Sequence, residues 1–131
     1  MQRLEPREGL ELWLDGGHNP AAAKVLAEGL AELPARETVL VLAMLANRKV
    51  GEFLAPLAAQ VGGVVAVPIP GEEKAHAPEA VARAAERMGL VAEAAPDLAA
   101  ALARIAEQQP GARVVICGSL YLAGAVLGGQ A

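Results

Sequence analysis

The sequence has very few aromatic residues, one cysteine and no long apolar run. Phe, Trp and Tyr occur once each in 131 residues, so the core must be built from aliphatic side chains, and alanine alone supplies 30 residues. The single cysteine, Cys117, excludes an internal disulfide and a cysteine-rich zinc site. The longest apolar run, residues 39–46, has eight residues, far short of the roughly 20 that cross a bilayer. The sequence therefore predicts no membrane span.

The chain also lacks an excess of positive charge and an apolar leader. Its net charge is −4, from 15 acidic and 11 basic residues, which argues against a domain that binds the phosphate backbone of nucleic acid. One bound nucleotide remains compatible with that charge. The opening MQRLEPREG has no apolar stretch of the kind found in secretory signals, so we expect a cytoplasmic location.

The sequence contains alternating segments typical of strands and helices, in a number that fits one domain. Hydrophobic residues make up 54% of the chain and charged residues 20%, which supplies enough apolar surface for a packed core. The hydrophobic periodicity and the Gly, Pro and capping residues between segments predict strands at 10–14, 38–44, 64–69, 90–94 and 113–117. They predict helices at 21–33, 50–60, 78–88, 97–109 and 120–127. This alternation predicts an α/β three-layer sandwich, with a mainly parallel sheet of about five to six strands and helices on both faces.

Three polar segments follow predicted strands: DGGHNP at 15–20, LANRK at 45–49 and GSLY at 118–121. In parallel α/β sheets, ligands bind outside the carboxyl ends of the strands. We therefore expect a functional site among these segments, and we expect the first and last of them to converge if their strands share a sheet edge.

The first segment has the residues of an anion or nucleotide loop. Its two glycines allow a ligand to approach the backbone, and the helix that follows offers free N–H groups. Asp15 is suited to accept from ribose hydroxyls, and His18 to donate to a carboxylate. The alternative is that Asp15 and Asn19 only cap the turn and His18 is solvated. Ser119 likewise is expected to cap the last helix, to contact a ligand, or both, and His76 is expected to be a solvated loop residue.

Three strings resemble the C-terminal domain of folylpolyglutamate synthase/dihydrofolate synthase, a branch of the Mur ligase superfamily. They are LDGGHNPAAAKVLAEGL, VLVLAMLANRKVGEFLAPL and VVICGSLYLAGAVL, in that order and at compatible spacing. The opening QRLEP resembles the interdomain linker of that family. The resemblance implies a Rossmann-like Mur ligase C-terminal domain at residues 9–131, with residues 1–8 as a remnant of the linker. A disordered tail is the alternative for residues 1–8.

The resemblance implies a reaction in which ATP phosphorylates a carboxylate of a pteroate or folate, and the amine of L-glutamate attacks the acyl phosphate. The family's phosphate loop, GxxxxGK[ST], and its magnesium ligands lie in an N-terminal ATPase domain, and the present sequence contains no such loop. ATP and Mg²⁺ would thus be bound mainly by that domain, and this chain would be inactive alone, with no catalytic or metal-binding residue of its own.

By the same resemblance, Arg3 and Asp15 would contact the nucleotide, and His18, Asn19 and Ser119 would bind glutamate. The implied partners are the N-terminal ATPase domain of the same enzyme, L-glutamate, and folate or dihydropteroate, and the implied oligomeric state is a monomer. The segment 47–49 departs from the family's Asp-Lys-Asp pattern, so no role is carried onto it. We further expect that replacing His18 or Ser119 by alanine leaves the melting temperature nearly unchanged.

Two other functions fit the residues without the resemblance. One is a free-standing, non-catalytic α/β module that binds a nucleotide or a small acid. The other is an interaction domain whose loops have no ligand.

Overall fold

Runs of aliphatic residues form the inner strands of a six-stranded sheet in the computed structural model, which describes residues 1–130. The strands are β1 (Gln2–Arg7), β2 (Leu10–Leu14), β3 (Thr38–Leu42), β4 (Gly63–Ala66), β5 (Val91–Ala94) and β6 (Arg113–Cys117). The helices are α1 (Pro20–Glu32), α2 (Val50–Leu54), α3 (Pro78–Arg87), α4 (Leu98–Gln108) and α5 (Leu120–Leu127). No helix within residues 1–130 combines the length and the apolarity needed to cross a bilayer.

The strand order β1-β2-β6-β3-β4-β5 places the three polar segments at one edge of the sheet. Only β1 is antiparallel to its neighbour, so the mainly parallel sheet predicted from sequence is confirmed. Because β2, β6 and β3 are adjacent and parallel, their carboxyl ends lie side by side. The loops that follow them therefore meet, as expected.

Both faces of the sheet are covered, which confirms the three-layer sandwich. Strands β3, β4 and β6 turn alternate side chains to opposite faces, as the period of two requires. On one face, Leu40 and Val115 pack with the apolar sides of α1, α2 and α3. On the other, Val41 and Ile116 pack with α4 and α5.

The structure corrects the expectation for the start of the chain. Residues 2–7 form β1, an edge strand in which Gln2 lies opposite Leu14 and Arg3 opposite Trp13, so the alternative of a disordered tail is wrong. Five of the six β1 side chains are exposed, which is why the segment has no apolar alternation to reveal it. Its relation to a preceding domain stays a prediction.

The helix expected at 50–60 is shorter than predicted. Helix α2 ends at Leu54, and residues 55–60 continue as turns. Pro56 has no N–H to donate to the carbonyl four residues earlier, so the α-helical ladder cannot continue through it. The following strand is also shorter than the predicted 64–69, since it ends at Ala66.

Candidate functional site

A cavity of about 260 Å³ opens where β2, β6 and β3 end. All three polar segments line it: His18 comes from the first, Leu45 and Arg48 from the second, and residues 118–121 from the third. His18 and Ser119, which sequence reasoning assigned to one ligand, thus lie on the walls of one cavity. Their contact with glutamate stays a prediction.

Ser119 is held in place by the helix it caps. Its Oγ accepts hydrogen bonds from the backbone N–H groups of Tyr121 (3.0 Å) and Leu122 (3.3 Å), and the residue is only 2% exposed. Gly118 precedes it with φ +102°, and a Cβ there would lie 2.5 Å from the carbonyl oxygen of Ala43. Since both bonds use the hydroxyl oxygen as acceptor, the O–H hydrogen remains available to a ligand.

His18 carries the clearest sign of a missing partner. Its Nδ1 is buried and has no hydrogen-bond partner among residues 1–130. A buried polar atom without a partner costs about 1–3 kcal/mol, so native structures rarely leave one without a reason. Since Nδ1 is itself closed to solvent while the residue lines the cavity, a ligand there would bond to this atom only after the ring turned.

Arg48 is the cavity residue to which sequence reasoning gave no role. Its side chain is half-buried, and among residues 1–130 no carboxylate pairs with its guanidinium. Its backbone carbonyl accepts a hydrogen bond from Nε2 of His76, at 2.7 Å. The expectation that His76 is merely solvated is therefore wrong: it is half-buried and bonded. The available signal for Arg48 was a basic residue shortly after a buried strand.

Asp15 and Asn19 lie beside the cavity and shape its first loop. Asp15 Oδ1 accepts from the N–H of Gly17 at 2.8 Å. Asn19 is the N-cap of α1, since its side chain accepts from the N–H of Ala22 at 2.8 Å. Both therefore have the capping contacts of the structural alternative, while their ligand contacts stay predictions.

Arg3 is not brought to Asp15. Its backbone lies opposite Trp13, but its guanidinium extends toward the amino end of β2, where it lies 3.7 Å from Glu11 and 5.5 Å from the ring centroid of Trp13. The cavity and Asp15 lie at the opposite, carboxyl end of that strand. In this structure Arg3 therefore belongs to a separate ion network.

Glu11 is the centre of that network. Its carboxylate accepts hydrogen bonds from Arg113, from Nε1 of Trp13 at 2.8 Å and from Arg36 at 2.8 Å. Burial opposes ionisation, but the bonds from Arg113 and Trp13 and the charges of both arginines hold the pKa of Glu11 below its ordinary value. This network fastens the amino ends of β2 and β6 together.

Cys117 lies in β6 as an inert core residue, as predicted. It is 1% exposed, and burial, together with the charge of Asp15, raises the pKa of its thiol far above the ordinary value. The thiolate, which is the reactive form, is thus disfavoured.

The described residues do not fit a resident metal or a triphosphate cradle. Within residues 1–130, no three His, Cys, Asp or Glu side chains cluster as metal ligands. The sequence has no GxxxxGK[ST] loop either. The loop that binds the phosphates of ATP in a phosphate-loop enzyme is therefore not supplied by this chain.

Comparison with known proteins gives one consistent result. Residues 1–120 match the family model described as Mur ligase, glutamate ligase domain. The structure is similar to Mycobacterium tuberculosis folylpolyglutamate synthase complexed with ADP and AMPPCP, with 33% identity over 92% of this chain and a TM-score of 0.77. It is also similar to E. coli FolC in complex with DHPP and ADP, with 25% identity over 94% of this chain and a TM-score of 0.75.

A third similar structure has L-glutamate bound. It is a bifunctional folylpolyglutamate synthase/dihydrofolate synthase with Mn, AMPPNP and L-glutamate bound, 27% identical over 95% of this chain, with a TM-score of 0.76. The present chain spans only 29% of the length of the first two proteins and 30% of the third. No curated protein sequence matches it significantly.

Proposed function

The chain belongs to the Mur ligase, glutamate ligase domain family, and from this we propose that it is the glutamate-binding and nucleotide-closing domain of an ATP-dependent amide ligase of the folylpolyglutamate synthase/dihydrofolate synthase type. The observation that carries the proposal is the cavity where β2, β6 and β3 end, with His18, Arg48 and Ser119 on its walls.

In the proposed reaction, ATP phosphorylates a carboxylate of a folate or dihydropteroate, bound by the N-terminal ATPase domain of the same monomeric enzyme. The amine nitrogen of L-glutamate then attacks the acyl carbon, a C–N bond forms, the C–O bond to phosphate breaks, and the amine loses a proton. ATP and Mg²⁺ are held mainly by the other domain. The contribution of this chain is to position the amine, and orientation of this kind lowers a barrier by several kcal/mol.

The chemistry of the cavity supports a small dicarboxylate. L-Glutamate has two carboxylates, and the residues that line the cavity include Arg48 with its unpaired guanidinium, His18 with its imidazole and Ser119 with its hydroxyl. Guanidinium and imidazole are strong partners for carboxylates because their hydrogen bonds are charge-assisted. The volume of about 260 Å³ lies below the range typical of drug-sized ligands, which favours a compact amino acid.

Asp15 and Arg3 form the nucleotide side of the proposal, and Asn19 holds the start of α1 beside the glutamate. Asp15 directly follows β2, and in the proposal its carboxylate, one oxygen of which accepts from the N–H of Gly17, also accepts from a ribose hydroxyl. For Arg3 to reach a phosphate, its side chain must leave Glu11 and Trp13. Asp15→Ala should raise the ATP requirement more than the glutamate requirement, since a hydrogen bond to a charged group contributes about 1.5–3 kcal/mol.

Steady-state kinetics of the ligase that contains this chain, with glutamate and ATP varied separately, tests the proposal. His18→Ala and Arg48→Ala should each lower kcat/KM for glutamate by about tenfold or more, which corresponds to roughly 1.4 kcal/mol, with little change in the KM for ATP.

Lys49→Ala is the matched control. Lys49 is also a cation of this loop, but its side chain is 80% exposed and does not line the cavity, so the variant should behave like the wild type. Unchanged glutamate dependence in both test variants would show that the cavity is not the acceptor site. Nucleotide turnover by the wild type that does not depend on glutamate would overturn the proposed function itself.

A further inference from the structure

The loop before α3 is fastened onto the loop that carries Arg48. Leu45 and Ala75 form an isolated antiparallel bridge. On either side of it, the N–H of Ala46 donates to the carbonyl of Lys74 at 2.8 Å, and the N–H of His76 donates to the carbonyl of Met44 at 2.9 Å. These backbone contacts bring residues 74–76 against the wall of the cavity.

The side chain of His76 extends this connection to Arg48 itself. Its Nε2 lies 2.7 Å from the carbonyl oxygen of Arg48. A carbonyl oxygen only accepts, so Nε2 carries the hydrogen and donates. The neutral Nε2–H tautomer and the imidazolium both have this hydrogen, so the contact does not depend on the charge of the ring.

Beyond the backbone contacts at residues 44–46, other support for Arg48 is slight. Its own N–H donates to Leu45 at 3.0 Å within the same loop, and Lys49, the N-cap of α2, makes no capping hydrogen bond through its side chain. Helix α2 has only five residues, so it gives the loop a short anchor. Among the described residues, His76 is therefore the side chain that ties the backbone of Arg48 to another element.

We propose that His76 is a positioning residue: it fixes the Arg48 backbone so that the guanidinium faces the cavity and meets a carboxylate of the acceptor amino acid. The kinetic test of this proposal rests on the proposed function, because it measures the use of glutamate. His76 does not line the cavity, and its effect on the ligand passes through Arg48. A displaced guanidinium binds the carboxylate less well, because a hydrogen bond weakens steeply as its distance and angle depart from the favoured values.

The kinetic test is a double-mutant cycle in the ligase that contains this chain. His76→Ala should raise the KM for glutamate by about three- to tenfold, with kcat and the KM for ATP nearly unchanged, because the loss is one of placement. In an Arg48→Ala background the same substitution should have no further effect, since the two residues act on one contact. Equal effects of His76→Ala in the two backgrounds would overturn the proposal.

Two further variants separate positioning from general damage. His76→Gln keeps an N–H donor at a similar reach and should restore most of the glutamate affinity. Glu73→Ala, at an exposed position of the same loop, should leave it unchanged. If His76→Gln is as impaired as His76→Ala, the hydrogen bond to Arg48 is not what matters and the proposal fails.

Hydrogen exchange gives a readout that does not need glutamate. In the same enzyme, amide exchange of residues 45–49 should become faster in His76→Ala and return toward the wild-type rate in His76→Gln, while exchange in β6 stays the same. An unchanged rate at 45–49 overturns the proposal even if the enzyme uses glutamate. A wild type without glutamate dependence instead overturns the proposed function, and the exchange data then decide on the contact by themselves.

Discussion

Ser119 is predicted to have two separable roles, in the stability of α5 and in the binding of glutamate. Its Oγ satisfies two N–H groups at the start of α5, and at 2% exposure water has little access to replace it. Ser119→Ala should therefore lower the free energy of unfolding by about 1 kcal/mol, within the 0.5–2 kcal/mol measured for lost N-caps. For a domain of this size that is a fall in Tm of about 4 °C. This revises the expectation, made from sequence, of an unchanged melting temperature.

Ser119→Gly separates the two roles. Glycine at an N-cap costs only a few tenths of a kcal/mol, because it adopts the cap conformation readily and, without a Cβ, leaves space through which water can reach the N–H groups. Both variants lack the hydroxyl, so both should lose glutamate use to the same extent, whereas only the alanine variant should melt clearly lower.

Thermal unfolding and steady-state kinetics with varied glutamate measure the two effects. Equal melting temperatures for the alanine and glycine variants would refute the capping argument. Wild-type glutamate dependence in both would refute the binding role and leave Ser119 as a cap only.

Two further predictions concern the sheet and the turn before α5. Glu11→Ala leaves Arg113, which is 4% exposed, without its carboxylate partner, and should lower the free energy of unfolding by about 3 kcal/mol in denaturant unfolding at pH 7. Because folding lowers the pKa of Glu11, the difference from wild type should shrink as the pH falls below about 4. A difference that stays constant with pH would contradict the ion-network account. Gly118→Ala should destabilise the protein by about 2 kcal/mol or more, since φ at this position is +102° and a Cβ would lie 2.5 Å from the carbonyl oxygen of Ala43. Gly124→Ala, which has open space around it in α5, should instead stabilise the protein by about 0.5–1 kcal/mol. Calorimetry that ranks the two variants the other way would refute the reasoning.

The inner architecture follows from local signals in the sequence. The runs at 39–42 and 114–117 are apolar throughout because these strands are buried on both faces, and that pattern needs no tertiary information. Asn19 and Ser119 cap helices, as their positions before apolar segments predict, and Asp97, expected within the helix itself, is the N-cap of α4. Adjacent parallel strands then bring the loops of His18 and Ser119 together.

The remaining features depend on contacts between distant parts of the chain. Strand β1 is recognisable only through its pairing with β2, since its own side chains are mostly exposed. His76 reads as a loop residue among charged neighbours, because its partner, the carbonyl of Arg48, is a backbone atom 28 residues away. Arg48 can be assigned to the candidate site only from the structure, which shows that it lines the cavity.

The most direct test of the central claim is a crystal structure of the ligase that contains this chain, with a non-hydrolysable ATP analogue and L-glutamate. We predict that the amino acid lies in the cavity where β2, β6 and β3 end, with one carboxylate on the guanidinium of Arg48 and a polar atom bonded to the imidazole of His18. Glutamate ordered at another surface, with that cavity holding only water, would contradict the account.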